Sequence, residues 1–208
     1  MMNVYRELLQ LNSSNYNYYY QILQAHGIDI PKNIVTHKLS DDDQKKAKEI
    51  LETYEKNLPK ATAHQRIALK LLHGEDFKEK LLKFATPQIV KGVPQMLYDL
   101  KELYADKDKV QIIGDMLSTM IKNMQEKNVL SEADEEEHDP TVYLWLLYYS
   151  AQHHYFLKGY DTALSFINQA IEHTPTVVDL YIVKAKIYKK AGDVNRAAQL
   201  YEEARKLD

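Results

Sequence analysis

The sequence predicts an all-α fold, a right-handed superhelix built from antiparallel helix pairs. Three observations carry that prediction. One pattern is written twice near the end of the chain, 34 residues apart. Glycine and proline are scarce, at 6 each, and fall between helical segments. No stretch alternates apolar and polar residues over a strand length with β-branched enrichment, so no strand is expected.

The repeated pattern has small residues at fixed points. Ala151, His154, Ala163, Ala170 and Pro175 make the first copy, and Ala185, Tyr188, Ala197 and Ala204 answer four of them. Asp161 is matched by Asn195, and Ile167 by Tyr201. A 34-residue period with these small residues, an aromatic and a junction Pro is the tetratricopeptide signature. The alanines mark places where two helices cross closely and a larger side chain would part them. Such a pair cannot bury its apolar face alone and stacks on neighbours. The first functional expectation is therefore a protein-holding scaffold.

The other elements follow from caps and spacing. Val4, Leu8, Leu9 and Leu11 make a short amphipathic helix, read as the second helix of a repeat. Asn15 to Ala25 forms the next, stopped by Gly27. Pro31 to Leu39 is a connector. Ser40 with Asp41, Asp42 and Asp43 is a strong helix start, since the acids oppose the positive end of the dipole. That helix points Ala47, Ile50, Leu51 and Tyr54 inward and is expected to end before Pro59. Ile67, Leu71 and Leu72 line a helix that Gly74 should end. Phe77, Leu81, Leu82 and Phe84 line another that should end before Pro87. Lys91-Gly92-Val93-Pro94 is a turn, with Pro94 early in a helix carrying Met96, Leu97, Leu100, Leu103 and Tyr104. Asp106 caps a long helix to about Lys127, with Val110, Ile113, Leu117 and Met120 inward. Glu132 to Asp139 is acidic and lacks apolar spacing, so it reads as a solvated, mobile loop. Pro140 opens the tandem repeats. In segments, residues 1–30 are tetratricopeptide-like helices and 31–130 are divergent repeats of the same solenoid. Residues 131–140 are the acidic loop, and 141–208 are the two tandem repeats.

Composition removes several function classes. The 208 residues carry a net charge of −3 and a pI near 6.2. No global basic field draws the chain to nucleic acid or anionic lipid, so neither partner is expected. There are no cysteines, which removes disulfides, thiolate nucleophiles and Cys-ligated zinc and fits the cytoplasm. The longest apolar run, Val142 to Tyr149, is too short to span a bilayer, and no signal peptide is expected at the N-terminus. Sixteen tyrosines against four phenylalanines suit half-buried positions on an open helical array.

Chemistry-bearing patterns are weak. His153 and His154 point about 100° apart on a helix and cannot share a metal from one face. Packing is the expected role of His154. His73 to Lys80 contains a single Gly and no phosphate-loop continuation. Carboxylates such as Glu75 and Glu79 sit beside Lys78, as on a solvated face. Lys184, Lys186, Lys189, Lys190 and Arg196 cluster in one repeat, and Lys186, Lys189 and Lys190 share a helix face by spacing. A soluble surface is the plain reading, and an anion pocket is the sharper one. Tyr143 to Leu157 contains no Lys, Arg or Asn, which argues against a clamp for a chaperone's terminal carboxylate.

The particular strings carry more than the alanine pattern. Leu144 to Asp208 closely resembles the auxiliary, non-catalytic subunit of the N-terminal acetyltransferase A complex. Arg66-Ile67-Ala68-Leu69, Gly74 and Phe77, Lys91 to Pro94, and Leu103-Tyr104 resemble that subunit's middle region in the same order. Tyr5 to Tyr20 resembles the repeat before it. The resemblance is weakest from Ile28 to Lys60 and in the acidic loop. It implies a middle fragment of a long helical solenoid that wraps and tunes a small catalytic subunit and contributes to ribosome docking. It implies no cofactor on this chain: acetyl-CoA belongs to the catalytic partner, and an inositol polyphosphate can sit between the subunits. The Lys186, Lys189, Lys190 and Arg196 cluster is a candidate edge of that basic pocket. The partner surface is expected on the first-helix side of the array, at Tyr148, Gln152, Tyr155, Tyr181 and Lys184. The alternatives are an auxiliary subunit of another N-terminal acetyltransferase, an unrelated tetratricopeptide adaptor, or an enzyme with a hidden site.

Overall fold

A computed structural model describes residues 2–207, so Met1 and Asp208, the outermost positions of the first and last segments, lie outside the described residues. Among the described residues there are eleven α-helices and no strand. They are α1 (Met2–Leu11), α2 (Tyr16–Ala25), α3 (Asp41–Asn57), α4 (Ala63–Leu71), α5 (Gly74–Val90) and α6 (Met96–Asp99). After a 3-10 turn (Lys101–Ala105) come α7 (Lys107–Lys127), α8 (Pro140–Phe156), α9 (Tyr160–His173), α10 (Val178–Ala191) and α11 (Val194–Leu207). The fold class is the expected one, all-α and tetratricopeptide-like.

Contact density groups the chain into two compact units, on different lines from the repeat segments. One holds residues 1–84 and 102–110, the other 85–101 and 111–208. The division falls inside α5, inside the 3-10 turn and inside α7.

The first unit packs α1 to α4, the start of α5 and the start of α7. Leu9, Tyr19, Ile22, Leu23, Leu51, Ile67 and Phe77 form its core, each 2% exposed or less. Tyr19 packs edge-on to Tyr54 at 5.6 Å and donates its hydroxyl to the Ser13 carbonyl at 2.9 Å. Ser40 caps α3 through Asp43 N–H at 3.2 Å, as its sequence context predicts. Asp106 caps α7, accepting from the N–H groups of Asp108 and Lys109.

A polar seam joins α3 to α5. Lys48 pairs with Asp76 at 2.7 Å and Glu79 at 2.6 Å. Lys80 pairs with Glu52 at 2.8 Å, and Lys83 with Glu55 at 2.8 Å. The carboxylate Glu79, expected on a solvated face with its own helix's lysines, thus serves a tertiary contact. Lys109 is 1% exposed. Its ammonium donates to the Leu69 and Lys70 carbonyls at 3.0 and 2.6 Å and lies 5.2 Å above the Phe77 ring. It closes the carboxyl end of α4, where the helix dipole is negative.

The second unit contains the tandem repeats. Short connections fold α8 back on α9 and α10 back on α11. The repeat alanines sit where expected: Ala151, Ala163, Ala170 and Ala185 are 0% exposed, and Ala197 and Ala204 are buried. Asp139 caps α8 through Thr141 N–H at 2.8 Å, with Pro140 in the first turn. His154 stacks on Phe166, with centroids 5.4 Å apart and planes 8° apart, which is the packing role expected for it. Pro175, expected among the packing residues, is exposed in the α9–α10 connection, where its carbonyl accepts from Tyr181. Tyr188 is half-buried under the Arg196 guanidinium, 5.4 Å away.

The Lys91–Pro94 turn is held by α8. Tyr149 donates its hydroxyl to the Val93 carbonyl at 2.8 Å. Gly92 has φ +63° and lies against the indole of Trp145.

Several boundaries differ from expectation. Helix α5 runs through Pro87 to Val90, because Pro87 falls in its last turn. Only one N–H donor is missing there, and the Pro87 carbonyl still accepts from Lys91 N–H. Gly74 opens α5 instead of ending α4, and buried Leu72 and His73 make the link. The single helix expected after Pro94 is a short α6 followed by the 3-10 turn. Buried Leu97, Leu100 and Leu103 recur every third residue, matching the three-residue turn of a 3-10 helix. Leu11 and Leu82, placed inward from spacing, are 85% and 37% exposed. Within the acidic stretch, Asp134 accepts from the backbone N–H groups of Leu130 and Ser131 and pairs with His138 at 3.1 Å.

Candidate partner-binding surface

Helix α8 is apolar nearly all round, and such a helix is buried. From Leu144 to His153 only Trp145 is not fully buried. This corrects two expected partner contacts. Tyr148 and Gln152 are 4% and 1% exposed, because neighbouring elements cover the face that carries them. Burial, with Asp179 and Tyr98 nearby, pushes the Tyr148 hydroxyl well above its ordinary range. Of the other three, Tyr155, Tyr181 and Lys184 are half-buried and reach the surface.

The carboxyl end of α8 emerges into an aromatic cluster. Phe156 meets Tyr98 edge-on at 5.3 Å, and Tyr155 lies 5.9 Å from Phe156 and 6.3 Å from Tyr160. Two ammonium groups bracket the central pair. Lys101 lies 5.8 Å over Phe156, and Lys186 lies 5.6 Å over Tyr98. Such contacts are worth about 0.5–1 kcal/mol where water has access. Burial pushes the Tyr98 and Tyr155 hydroxyls up, so both stay protonated donors near neutral pH. Half-exposed tyrosines beside cations, on a rigid helical frame, have the composition of a protein-binding surface.

No sequence pattern singles out Tyr98, Lys101 and Phe156. They come from two segments more than 50 residues apart, and neither carries a motif. The run of aromatics after His153-His154 is the one local signal.

The lysines of α10 do not act as one group. Lys186 is half-buried against Tyr98, whereas Lys189 and Lys190 are exposed at the carboxyl end of α10, where their charge complements the dipole. Arg196 is engaged elsewhere, 3.5 Å from Asp193 and over the Tyr188 ring.

The buried histidines are kept neutral. Burial, with His154 adjacent, pushes His153 down to about 4. Burial also lowers His64, His73 and His154. Among the described residues no group of three or more His, Asp or Glu side chains could hold a metal, and no helix is long and apolar enough to cross a membrane.

Comparison with known proteins gives one consistent result. The family model described as N-terminal acetyltransferase A, auxiliary subunit, matches residues 2–208. The N-terminal acetyltransferase A complex auxiliary subunit NAA15 of Arabidopsis thaliana is 35% identical over 205 residues, covering 99% of this chain and 22% of that one. The NatA auxiliary subunit N-alpha-acetyltransferase 16 of Homo sapiens is 34% identical over 206 residues, with the same coverage of 99% and 22%. A solved structure of Naa15/Naa10 bound to HypK-THB superposes with a TM-score of 0.82 at 29% identity, covering all of this chain and 29% of that one. The chain thus spans about a fifth of the length of the curated relatives it matches.

Proposed function

This chain belongs to the auxiliary-subunit family of N-terminal acetyltransferase A, and from that premise we propose that it is part of a scaffold that holds and tunes a catalytic acetyltransferase subunit. The observation that carries the reading is the family match along residues 2–208. The similar solved structure contains Naa15 with Naa10, which supports a catalytic subunit as the partner. The half-exposed aromatic–lysine cluster at the end of α8, with Tyr155, Tyr181 and Lys184, is the surface offered to it.

On this reading the chain has no active site of its own, and acetyl-CoA is bound by the catalytic subunit. The engagement of Lys48, Lys80, Lys109, His154, Glu79 and Asp106 in ion pairs, packing and caps supports that assignment. An inositol polyphosphate at the subunit interface, ribosome association through the longer chain, and a cytoplasmic location complete the proposal.

Co-expression with a cognate catalytic subunit, followed by size-exclusion chromatography, tests it. Co-elution is expected, and alanine at Tyr155, Tyr181 and Lys184 together should weaken it while leaving the helical circular dichroism unchanged. Unaltered affinity in that triple variant would remove these residues from the partner surface. Purified chain alone should not acetylate a Ser- or Ala-starting peptide, and turnover without the partner would overturn the non-catalytic assignment.

A further inference from the structure

The polar seam of the first unit contains a feature that ion pairing does not explain. His64 on α4 is 2% exposed, yet neither ring nitrogen has a hydrogen-bond partner among the described residues. An imidazole N–H or lone pair taken out of water without a partner is strongly disfavoured, and buried polar atoms nearly always find one. His64 lines a small cavity at the junction of α3, α4 and α5. Its polar walls are Glu52 and Glu55 of α3, Gln65 of α4, and Lys80 and Lys83 of α5. The cavity has room of about 10 Å³ for the centre of a water-sized molecule. That is about the minimum that holds one water, and a buried water needs two to four polar partners.

We propose that one ordered water is built into this junction, bridging His64 to the Glu55 carboxylate. Three further observations support it. His64 and Glu55 line the same cavity, yet no direct hydrogen bond joins them. Glu55 accepts from Lys83 at 2.8 Å and lies 3.5 Å from Lys80, which leaves lone pairs on its carboxylate for a further donor. Burial keeps His64 neutral against the pull of Glu55, with Lys80 and Lys83 acting in the same direction as burial. A neutral imidazole has one donor and one acceptor nitrogen. The water accepts from the His64 N–H and donates to Glu55. It thereby ties α4 to the α3–α5 ion pairs in a way that neither His64 nor Glu55 achieves directly.

A crystal structure of the chain at a resolution that shows ordered water tests the site. The expected result is a single density peak within hydrogen-bond distance of one His64 ring nitrogen and of the Glu55 carboxylate. A dry cavity, or a His64 ring turned into direct contact with Glu55, would overturn the proposal. The variant His64→Phe supplies the second arm. It should retain its helical circular dichroism and lose the density, because the apolar ring fills the space and offers no partner. Density persisting in that variant would mean that the lysine–glutamate cluster holds the water without His64, which also overturns the bridge. In solution, long-lived water cross-peaks to the His64 ring protons are expected in the native chain, and their absence counts against it. This solution measurement keeps the test open if the variant fails to fold.

Discussion

Replacing Gly92 by alanine should destabilise the second unit through two separable effects. Gly92 has φ +63°, a left-handed conformation that costs a residue with a Cβ about 1–2 kcal/mol. A methyl group there would also lie 2.1 Å from Trp145 Nε1, 2.4 Å from Cε2 and 2.7 Å from Cδ1. The indole has little room to retreat, because Tyr148 and Tyr149 pack on it at 5.3 and 6.2 Å between centroids. Overpacking of this kind costs about 1–3 kcal/mol. The total is about 2–5 kcal/mol, or a Tm lower by roughly 5–15 °C for a chain of this size. Trp145 is the single tryptophan, so its fluorescence reports directly on the site during melting. Gly192 supplies the control: it has φ +99° and no atom within 4 Å of where a methyl group would stand, so Gly192→Ala carries the backbone cost alone. In a Trp145→Leu background, followed by circular dichroism, Gly92→Ala should cost no more than that control. Equal melting of Gly92→Ala and Gly192→Ala, with unshifted tryptophan emission, would refute the steric argument.

Two further predictions concern pH. His153 is held down to about 4 against an ordinary 6.5, so the unfolded chain binds the proton more readily. The stability it contributes is complete above pH 6.5 and is lost as pH falls towards 4. Between pH 7.5 and 5.5 His153 should account for a loss of about 1 kcal/mol, and His153→Gln should show a correspondingly shallower fall in urea titrations. His64, His73 and His154 shift the same way, so the readout is the difference between native and variant slopes. Lys109 is lowered to about 8 from 10.5, chiefly by burial. Here the unfolded chain holds the proton between those values, so stability should rise with pH from 7.5 to 9.5, by about 2 kcal/mol. Lys109→Met should flatten that rise, and an unchanged slope would show that Lys109 is not the group responsible.

Much of this protein was legible in sequence because the signals were local or periodic. The alanines of the 34-residue repeat are buried where the pattern puts them, since a close helix crossing demands a small residue whatever surrounds it. Ser40 and Pro140 start helices as read, because a helix start depends only on residues two or three positions away, and the structure adds Asp139 as the cap before Pro140. The family was legible in the strings from Arg66 to Tyr104 and from Leu144 onwards. The tertiary structure decided the rest. It gave Lys48 to Asp76 and Glu79, laid Lys109 across the end of α4, and set Trp145 on Gly92. It also withdrew Tyr148 and Gln152 from the surface and brought Tyr98, Lys101, Phe156 and Lys186 together. These partners lie about 28 to 90 residues apart along the chain. Helical spacing shows which side chains share a face, but which face meets a neighbour depends on how the helices pack, and no short stretch of sequence contains that information.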